Sequence, residues 1–190
     1  ERNPSGNGRQ SIEVVVSGVA EIESEMHSAI NPTDSNNMVV SANAINPAAT
    51  GNDIPINHIY YSNDYGATWS RSAFNPLPQI SGVQIAGGGD PQFAYDLNGR
   101  VYTSWINLYL IGFSSLGFNL YWAYSDDGGV TWQRDTVGLI QGATGPITGL
   151  FDPTVLSAPI ADKEWLAVDR TSSPYQNTLY CVYFEVGGPN

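Results

Sequence analysis

The sequence predicts an all-β protein built from repeated four-stranded antiparallel units. An octapeptide of the pattern S-x-D-x-G-x-T-W occurs at residues 62–69 and again, 63 residues later, at 125–132. Charged residues make up only 13% of the 190 residues, while 20 Gly and 12 Pro supply many turn signals. Both observations favour short strands joined by tight turns, and neither is typical of long surface helices.

Each octapeptide predicts a tight turn between two strands. An aromatic strand precedes each copy, and a short polar segment ending at Arg71 or Arg134 follows it. The Ser and Asp side chains are expected to bond to turn amides, the Gly to take a left-handed backbone, and the Trp to return to the apolar layer. These residues therefore build the turn and perform no chemistry. They are Ser62, Asp64, Gly66, Trp69, Ser125, Asp127, Gly128 and Trp132.

A second repeated element predicts the order of strands in each unit. Short apolar segments containing Ala29, Ala94 and Ala167 each end in a turn and are followed by a second apolar strand. The octapeptide then lies between the third and fourth strands. The predicted divisions are an N-terminal segment with a strand at 1–24, a first unit at 25–72, a second unit at 73–136, and a long connection with half of a third unit at 137–190.

Together these segments resemble the sialidase-like β-propellers that carry Asp-box, or BNR, repeats. The octapeptides are the specific part of the resemblance, and residues 89–96 and 162–169 are similar to inner-strand segments of secreted bacterial members. The resemblance implies a radial array of four-stranded blades whose ligands bind at the axial mouth. Since a propeller needs about four blades to close, the chain is predicted to form an incomplete propeller of about two and a half blades.

Acidic side chains stand where the inner strands begin. Aligning these strands by their Ala residues places Glu25, Asp90 and Lys163 at equivalent positions, so a radial arrangement brings them together near the axis. His27 follows two residues after Glu25, on the same side of its strand. The predicted axial mouth comprises Glu25, His27, Asp90, Asp162 and Lys163.

Three roles remain open for these acidic groups. The sequence favours the simplest, in which they cap loops by accepting hydrogen bonds from nearby amides. In the second, Glu25, Asp90 and Asp162 bind a hard cation through oxygen ligands, with Ca²⁺ as the best fit. In the third, Asp90, Asp162 and Glu164 act as acid and base.

The resemblance also implies a hydrolase that cleaves a carboxylate-bearing glycoside with three clamping arginines, an Asp acid/base and a Tyr nucleophile paired with a Glu. The six arginines of this chain do not match that site, because none precedes an inner strand and the Arg-Ile-Pro signature is absent. The sequence therefore favours a binding module that recognises glycans or protein surfaces through axial loops. A segment of an exo-sialidase-like glycoside hydrolase and a self-associating assembly protein are the alternatives.

Charge and composition narrow the expected partners. Seven Lys and Arg residues against 18 Asp and Glu give a formal net charge of −11, so binding to nucleic acid or to an anionic membrane surface is not expected. No apolar stretch is long enough to predict membrane insertion. Low Lys content with abundant Asn, Ser, Thr and Tyr is typical of secreted proteins. We therefore expect an extracellular or cell-surface module whose partners are glycans or proteins, together with further blades of the same polypeptide or another copy.

Two stretches interrupt the repeat. The segment at 106–113 is too apolar for a free loop and predicts a contact surface. The connection from 138 to 161 is longer than ordinary loops, and such insertions either shape a binding mouth or pack against further blades. The single cysteine, Cys181, lies in an apolar run and is predicted to be a buried strand thiol.

Overall fold

The computed structural model describes residues 13–18, 22–45, 57–74, 83–133, 138–150 and 153–187. In these ranges the chain consists of β-strands, turns and two short 3₁₀ segments. The predicted all-β class is confirmed, and the four-stranded antiparallel sheets are consistent with propeller-like blades. Within the described ranges there is no helix of the length and apolarity that a membrane span requires.

The first sheet contains four antiparallel strands in chain order. Side chains alternate between the two faces of a strand, and the apolar residues of one face are directed to the second sheet. Val39 and Ile59 on that face are completely or almost completely buried. The strands are β1 (Ile22–Ile30), β2 (Asn37–Ile45), β3 (Asn57–Asn63) and β4 (Ser70–Arg71).

The second sheet has the same topology but longer strands. They are β5 (Val83–Tyr95), β6 (Val101–Ile111), β7 (Ser115–Ser125) and β8 (Leu139–Pro146). Most of the apolar segment at 106–113 is part of β6 and continues the β6–β7 ladder, so it extends the sheet instead of interrupting it.

The fourth strand of this sheet comes later in the chain than predicted. After the second octapeptide, a single bridge between Gln133 and Tyr124 continues the hairpin. The fourth strand, β8, begins at Leu139 and pairs with the first half of β7. Since the lengthened β6–β7 hairpin exposes a long edge, the connecting segment is available to pair with that edge. The second sheet therefore continues to Pro146, beyond the predicted boundary at residue 136.

The third sheet contains two antiparallel strands, β9 (Ile160–Val168) and β10 (Leu179–Val186). They correspond to the first two strands of the other sheets. The 3₁₀ segments Ile147–Leu150 and Pro153–Val155 connect it to β8.

Most of the N-terminal segment predicted at 1–24 lies outside the described residues. Residues 13–18 are described and form no strand. They lie beside the first sheet, where the Ser17 hydroxyl donates a hydrogen bond to Glu23 Oε2 at 2.6 Å.

Apolar side chains fill the layer between the first and second sheets. This core cluster consists of Val39, Ile59, Phe93, Tyr95 and Val101. The Tyr95 hydroxyl at its edge is satisfied, because it donates a hydrogen bond to Asn37 Oδ1 at 2.9 Å. Burial of this kind stabilises the stack of sheets by about 25 cal/mol for each Å² of apolar surface removed from water.

A second layer joins the second and third sheets. Ala94 and Tyr102 pack there against Leu166, with the Cys181 thiol at the side. Cys181 is half-buried, and burial raises the pKa of its thiol to about 11. Stacking the three sheets through these layers brings the inner strands β1, β5 and β9 next to one another.

Candidate functional site

The three inner strands carry the same backbone irregularity at equivalent positions. In β1, β5 and β9 the register against the neighbouring strand shifts at a β-bulge. Glu25, Asp90 and Lys163 occupy these bulges with φ angles of 51°, 55° and 51°. A left-handed conformation is uncommon for residues with a side chain and costs about 1 kcal/mol or more. Because this conformation recurs in all three strands, it is a regular feature of the internal repeat.

The bulges bring these three side chains together, as the alignment of the Ala residues predicts. Lys163 Nζ lies 3.0 Å from Asp90 Oδ2 and 3.8 Å from Glu25 Oε2. The side-chain amide of Asn43, on β2, joins two of the bulges. It donates a hydrogen bond to Glu25 Oε2 at 3.1 Å and accepts one from the Asp90 N–H at 2.8 Å.

Hydrogen bonds decide the ionisation of Asp90. Partial burial opposes its ionised form, but hydrogen bonds with Lys163, Glu25 and Asn43 and the charge of Lys163 hold its pKa below the ordinary value. The same contact with Asp90 raises the pKa of Lys163. At neutral pH both groups are therefore charged, and the ammonium lies between two carboxylates.

A pocket of about 300 Å³ opens at this cluster. Its walls come from all three inner strands, so it forms only when the sheets are stacked. In addition to the three bulge residues, the lining contains Met26, His27, Gln92, Glu164 and Trp165.

Glu164 is the most unusual titratable group in this pocket. Its side chain is only 1% exposed, and neither carboxyl oxygen has a well-aligned hydrogen-bond partner. Burial raises its pKa to about 8, and the negative charges of Asp90 and Asp162 add to the effect. The Ser104 hydroxyl lies close enough to oppose part of the effect of burial on this pKa. The carboxyl group is therefore largely protonated at neutral pH.

Two further polar atoms near Glu164 are also unsatisfied. Gln92 and Ser104 are paired in the β5–β6 ladder, and both lie on the side of the second sheet that faces the third. Gln92 Oε1 is buried without a hydrogen-bond partner. Ser104 Oγ is also buried and has no well-aligned partner, although it lies close enough to Glu164 to influence the pKa of that carboxyl. Buried polar atoms are nearly always paired, so a group of unpaired atoms at one boundary indicates a site for a missing partner.

His27 and Trp165 are the two aromatic residues of the pocket lining. His27 Nδ1 accepts a hydrogen bond from the Phe93 N–H at 3.1 Å, so the neutral ring carries its proton on Nε2. Burial lowers the pKa of His27, which favours this neutral form. The Trp165 ring meets His27 edge to face at 5.6 Å and remains 59% exposed.

Cation binding is one of the three roles that the sequence leaves open for these acidic groups. Among the residues described, no three His, Cys, Asp or Glu side chains are arranged to hold a metal ion. The Lys163 ammonium lies between Glu25 and Asp90, where a cation would have to bind. Asp162 lies outside the pocket lining and accepts a hydrogen bond from the Lys163 N–H at 2.9 Å.

No arginine described by the structure lines the pocket. Arg100 forms a two-pronged ion pair with Asp126, at 2.6 and 3.1 Å. Arg170 Nε donates to the Tyr95 carbonyl at 3.0 Å, at the far end of β5 from Asp90. Arg71 lies on β4, and the remaining arginines, Arg2, Arg9 and Arg134, lie outside the described residues.

The first octapeptide forms a hairpin closed by its own side chains. The Ser62 hydroxyl donates to Asp64 Oδ1 and accepts from the Gly66 N–H, both at 2.8 Å. Asp64 also accepts from the Thr68 N–H at 2.9 Å, and this bond and that of the Thr68 hydroxyl lower the pKa of Asp64. The Trp69 indole N–H donates to the Gly66 carbonyl at 3.0 Å.

The second octapeptide repeats this network with two differences. Gly129, and not the predicted Gly128, takes the role of Gly66, because the Gly129 N–H donates to Ser125 Oγ at 2.9 Å. The Trp132 indole N–H donates to Ser72 Oγ at 2.8 Å and so joins the second sheet to the first. These octapeptides lie in the β3–β4 turn and after β7, and none of their residues lines the pocket.

Comparison with protein-family models matches residues 60–71 and 123–134 to the BNR/Asp-box repeat. The chain carries two BNR/Asp-box repeats. This finding fits a sialidase-like repeat family. Comparisons with curated proteins and with solved structures give no match.

Gln92 and Trp165 were not predicted as pocket residues, although the sequence contains a signal for both. Gln92 and Trp165 stand two residues before Ala94 and Ala167, as His27 stands two residues before Ala29. The alignment that singles out His27 therefore also singles out its two equivalents. Ser104 carries no such signal, because its closeness to Glu164 arises from the stacking of two sheets.

Proposed function

We propose that the chain is an extracellular propeller module, about two and a half blades of an incomplete propeller, that binds a saccharide in its axial pocket. The observation that supports this function best is the pocket itself, where three inner strands bring an exposed indole together with carboxylates, an ammonium and an amide. A sugar ring has an apolar C–H face that stacks on an aromatic ring, and hydroxyls that bond to such polar groups. The secretory composition of the chain supports the extracellular location.

A glycan array tests this function. The 190-residue chain is expected to retain a subset of glycans, and Trp165→Ala is expected to weaken their binding by about tenfold or more, because the stacking surface is lost. Tyr175→Ala is the matched control, since Tyr175 is also well exposed, at 64%, but lies in the β9–β10 turn away from the pocket. If no glycan is retained, or if both variants bind as the wild type does, the proposed site is wrong.

A glycoside hydrolase is the second candidate. It is supported by two carboxyl groups in the pocket whose pKa values are shifted in opposite directions. Burial keeps Glu164 protonated, while its hydrogen bonds keep Asp90 ionised. Such a pair supplies an acid and a base. Glu164 would give its proton to the glycosidic oxygen as the C–O bond breaks, and Asp90 would take a proton from the water that adds to the anomeric carbon.

Release of nitrophenol from a panel of nitrophenyl glycosides tests the second candidate. Turnover that is lost in both Glu164→Gln and Asp90→Asn, with saccharide binding retained, would support hydrolysis. Absence of turnover on neutral, amino and carboxylate-bearing glycosides, in a protein that binds the same sugars, would contradict it and leave the binding function in place.

A further inference from the structure

One wall of the axial pocket contains buried polar groups that lack well-aligned partners. The Glu164 carboxyl is one of these groups, although the residue is only 1% exposed. Gln92 Oε1, from the neighbouring sheet, is also buried and unpaired. Leaving a buried polar group without a partner costs about 1 to 3 kcal/mol, so this wall is most stable with a polar partner bound.

The charged residues around the pocket indicate which class of ligand can bind to this wall. Glu25 and Asp90 are only partly balanced by Lys163, and the charge of Asp162 lies close enough to raise the pKa of Glu164. No arginine among the described residues lines the pocket. The field therefore disfavours a carboxylate-bearing ligand and favours a cationic one.

We propose that Glu164 and Gln92 form a subsite for a primary ammonium group, so that the saccharide bound in the axial pocket is an amino sugar. This inference rests on the proposed saccharide-binding function. An ammonium has three N–H donors, which match the two Glu164 oxygens and Gln92 Oε1. The exposed face of Trp165 lies in the same pocket and can receive the sugar ring.

Binding of an ammonium at this subsite changes the protonation state of Glu164. The ammonium keeps its protons, and Glu164 releases its own proton to solvent when it becomes the counter-ion. Two other titratable groups near Glu164 are not expected to release the proton in its place. Asp90 is already ionised, and the Cys181 thiol stays neutral because its pKa is raised to about 11.

The test compares two oligosaccharides that differ only at nitrogen. A chitosan hexasaccharide and its fully N-acetylated counterpart are titrated into the full chain at about pH 5, where both the sugar amines and Glu164 are protonated before binding. The free amine is expected to bind about tenfold to a hundredfold more tightly. Calorimetry in buffers of different ionisation enthalpy is expected to detect release of about one proton per amine bound, and none for the acetylated sugar.

Two variants assign the effect to the subsite. Glu164→Gln is expected to remove both the amine preference and the proton release, so that the two hexasaccharides bind with equal affinity. Gln92→Leu removes one acceptor without touching the ionisable group, so it is expected to reduce the preference and keep the proton release. A variant that lowers the affinity for both sugars equally would indicate a general structural role.

The outcomes separate this inference from the function on which it depends. Equal affinity for the two hexasaccharides would overturn the ammonium subsite and leave saccharide binding intact. Binding of neither hexasaccharide, by a chain that retains other glycans on the array, would also overturn it. If no glycan of any class is bound, the proposed function and the subsite are both wrong.

Discussion

At the scale of single residues, the pocket depends on side chains held in costly states. Three bulge residues adopt a left-handed backbone, and Glu164 is buried without a well-aligned hydrogen-bond partner. Strain and unpaired polar groups of this kind persist where the surrounding structure imposes them, and they concentrate at functional sites. Two predictions follow from the states of Glu164 and Gly89.

Glu164→Gln is expected to change how stability depends on pH. Burial raises the pKa of Glu164 from its ordinary value near 4.5 to about 8, so the folded state holds this proton more tightly than the unfolded state does. The wild type therefore loses stability as pH rises between these values, and the Gln variant avoids that loss. A shift of this size corresponds to about 5 kcal/mol, which sets the order of the expected advantage of the variant at about pH 9.

Urea unfolding at about pH 5 and about pH 9 measures the effect. The two proteins are expected to differ little at the lower pH and most at the higher one. Glu185→Gln, at an exposed position of β10, serves as the control and is expected to follow the wild type at both pH values. A constant difference between Glu164→Gln and the wild type would show that Glu164 does not titrate in this range.

Gly89→Ala is expected to weaken the pocket through Asn43. A methyl group at Gly89 would lie 2.6 Å from Asn43 Oδ1, the atom that accepts the hydrogen bond of the Asp90 N–H. Displacing Asn43 releases two bulges, so we expect loss of saccharide affinity and about 1 to 3 kcal/mol of stability. Gly87→Ala is the matched control on the same strand, because its nearest neighbour would be Leu108 at an ordinary 3.9 Å. Equal effects of the two variants would contradict this role of Asn43.

At the scale of elements, the Asp-box hairpin is stabilised by a serine that is both donor and acceptor. Ser62 and Ser125 are almost fully buried, and each hydroxyl accepts the N–H of the turn glycine while donating to the Asp carboxylate. The second hairpin also bonds to the first sheet, because Asn37 Nδ2 donates to the Gly128 carbonyl at 2.9 Å. The repeat thus stabilises its own turn and, in the second copy, the contact between sheets.

Ser125→Ala is expected to lower the free energy of unfolding by about 1 to 3 kcal/mol, because it leaves the buried Gly129 N–H without an acceptor. Ser62→Ala is expected to fall in the same range, and the exposed Ser70→Ala to stay near the wild type. Chemical denaturation with the slope compared between variants measures these changes. A cost for Ser70→Ala as large as that for Ser125→Ala would contradict the hydrogen-bond explanation.

At the scale of the whole molecule, both ends of the stack expose apolar sheet faces. On β10, Tyr180 and Val182 are 46% and 65% exposed, although Tyr102 at the position equivalent to Tyr180 is covered by the third sheet. On β1, Met26 is 76% exposed and Ile30 is 54% exposed. Their equivalents in the second sheet are buried under the first.

Each chain therefore exposes two apolar faces, one at β10 and one at β1, that are equivalent to the two faces packed against each other between its own sheets. We expect a second copy to continue the stack, with its β1 face on the β10 face of the first copy. Sedimentation velocity of the 190-residue chain is expected to show concentration-dependent association that Val182→Asp abolishes. Tyr175→Asp, at an exposed turn position, is the control and should associate as the wild type does. A chain that remains monomeric at all concentrations would contradict this expectation.

Much of this architecture could be predicted from local sequence. The octapeptides indicate their hairpins because turn geometry depends on a few adjacent side chains. The equivalence of Glu25, Asp90 and Lys163 is also readable, since an internal repeat carries each position to the same place in every sheet. The position of β8 was not predictable in this way. Whether a segment forms an edge strand depends on the unpaired strand beside it in the fold more than on the sequence of the segment itself.

By itself, the sequence determined the all-β class, the repeated turns and the convergence of three inner strands, since each depends on local pattern and repetition. Only the tertiary structure decided the chemistry of the pocket. Burial of Glu164, the unpaired oxygen of Gln92 and the exposed indole of Trp165 arise where two or three sheets meet. The desolvation that raises the pKa of Glu164 comes from residues distant in the chain, so no local pattern encodes it.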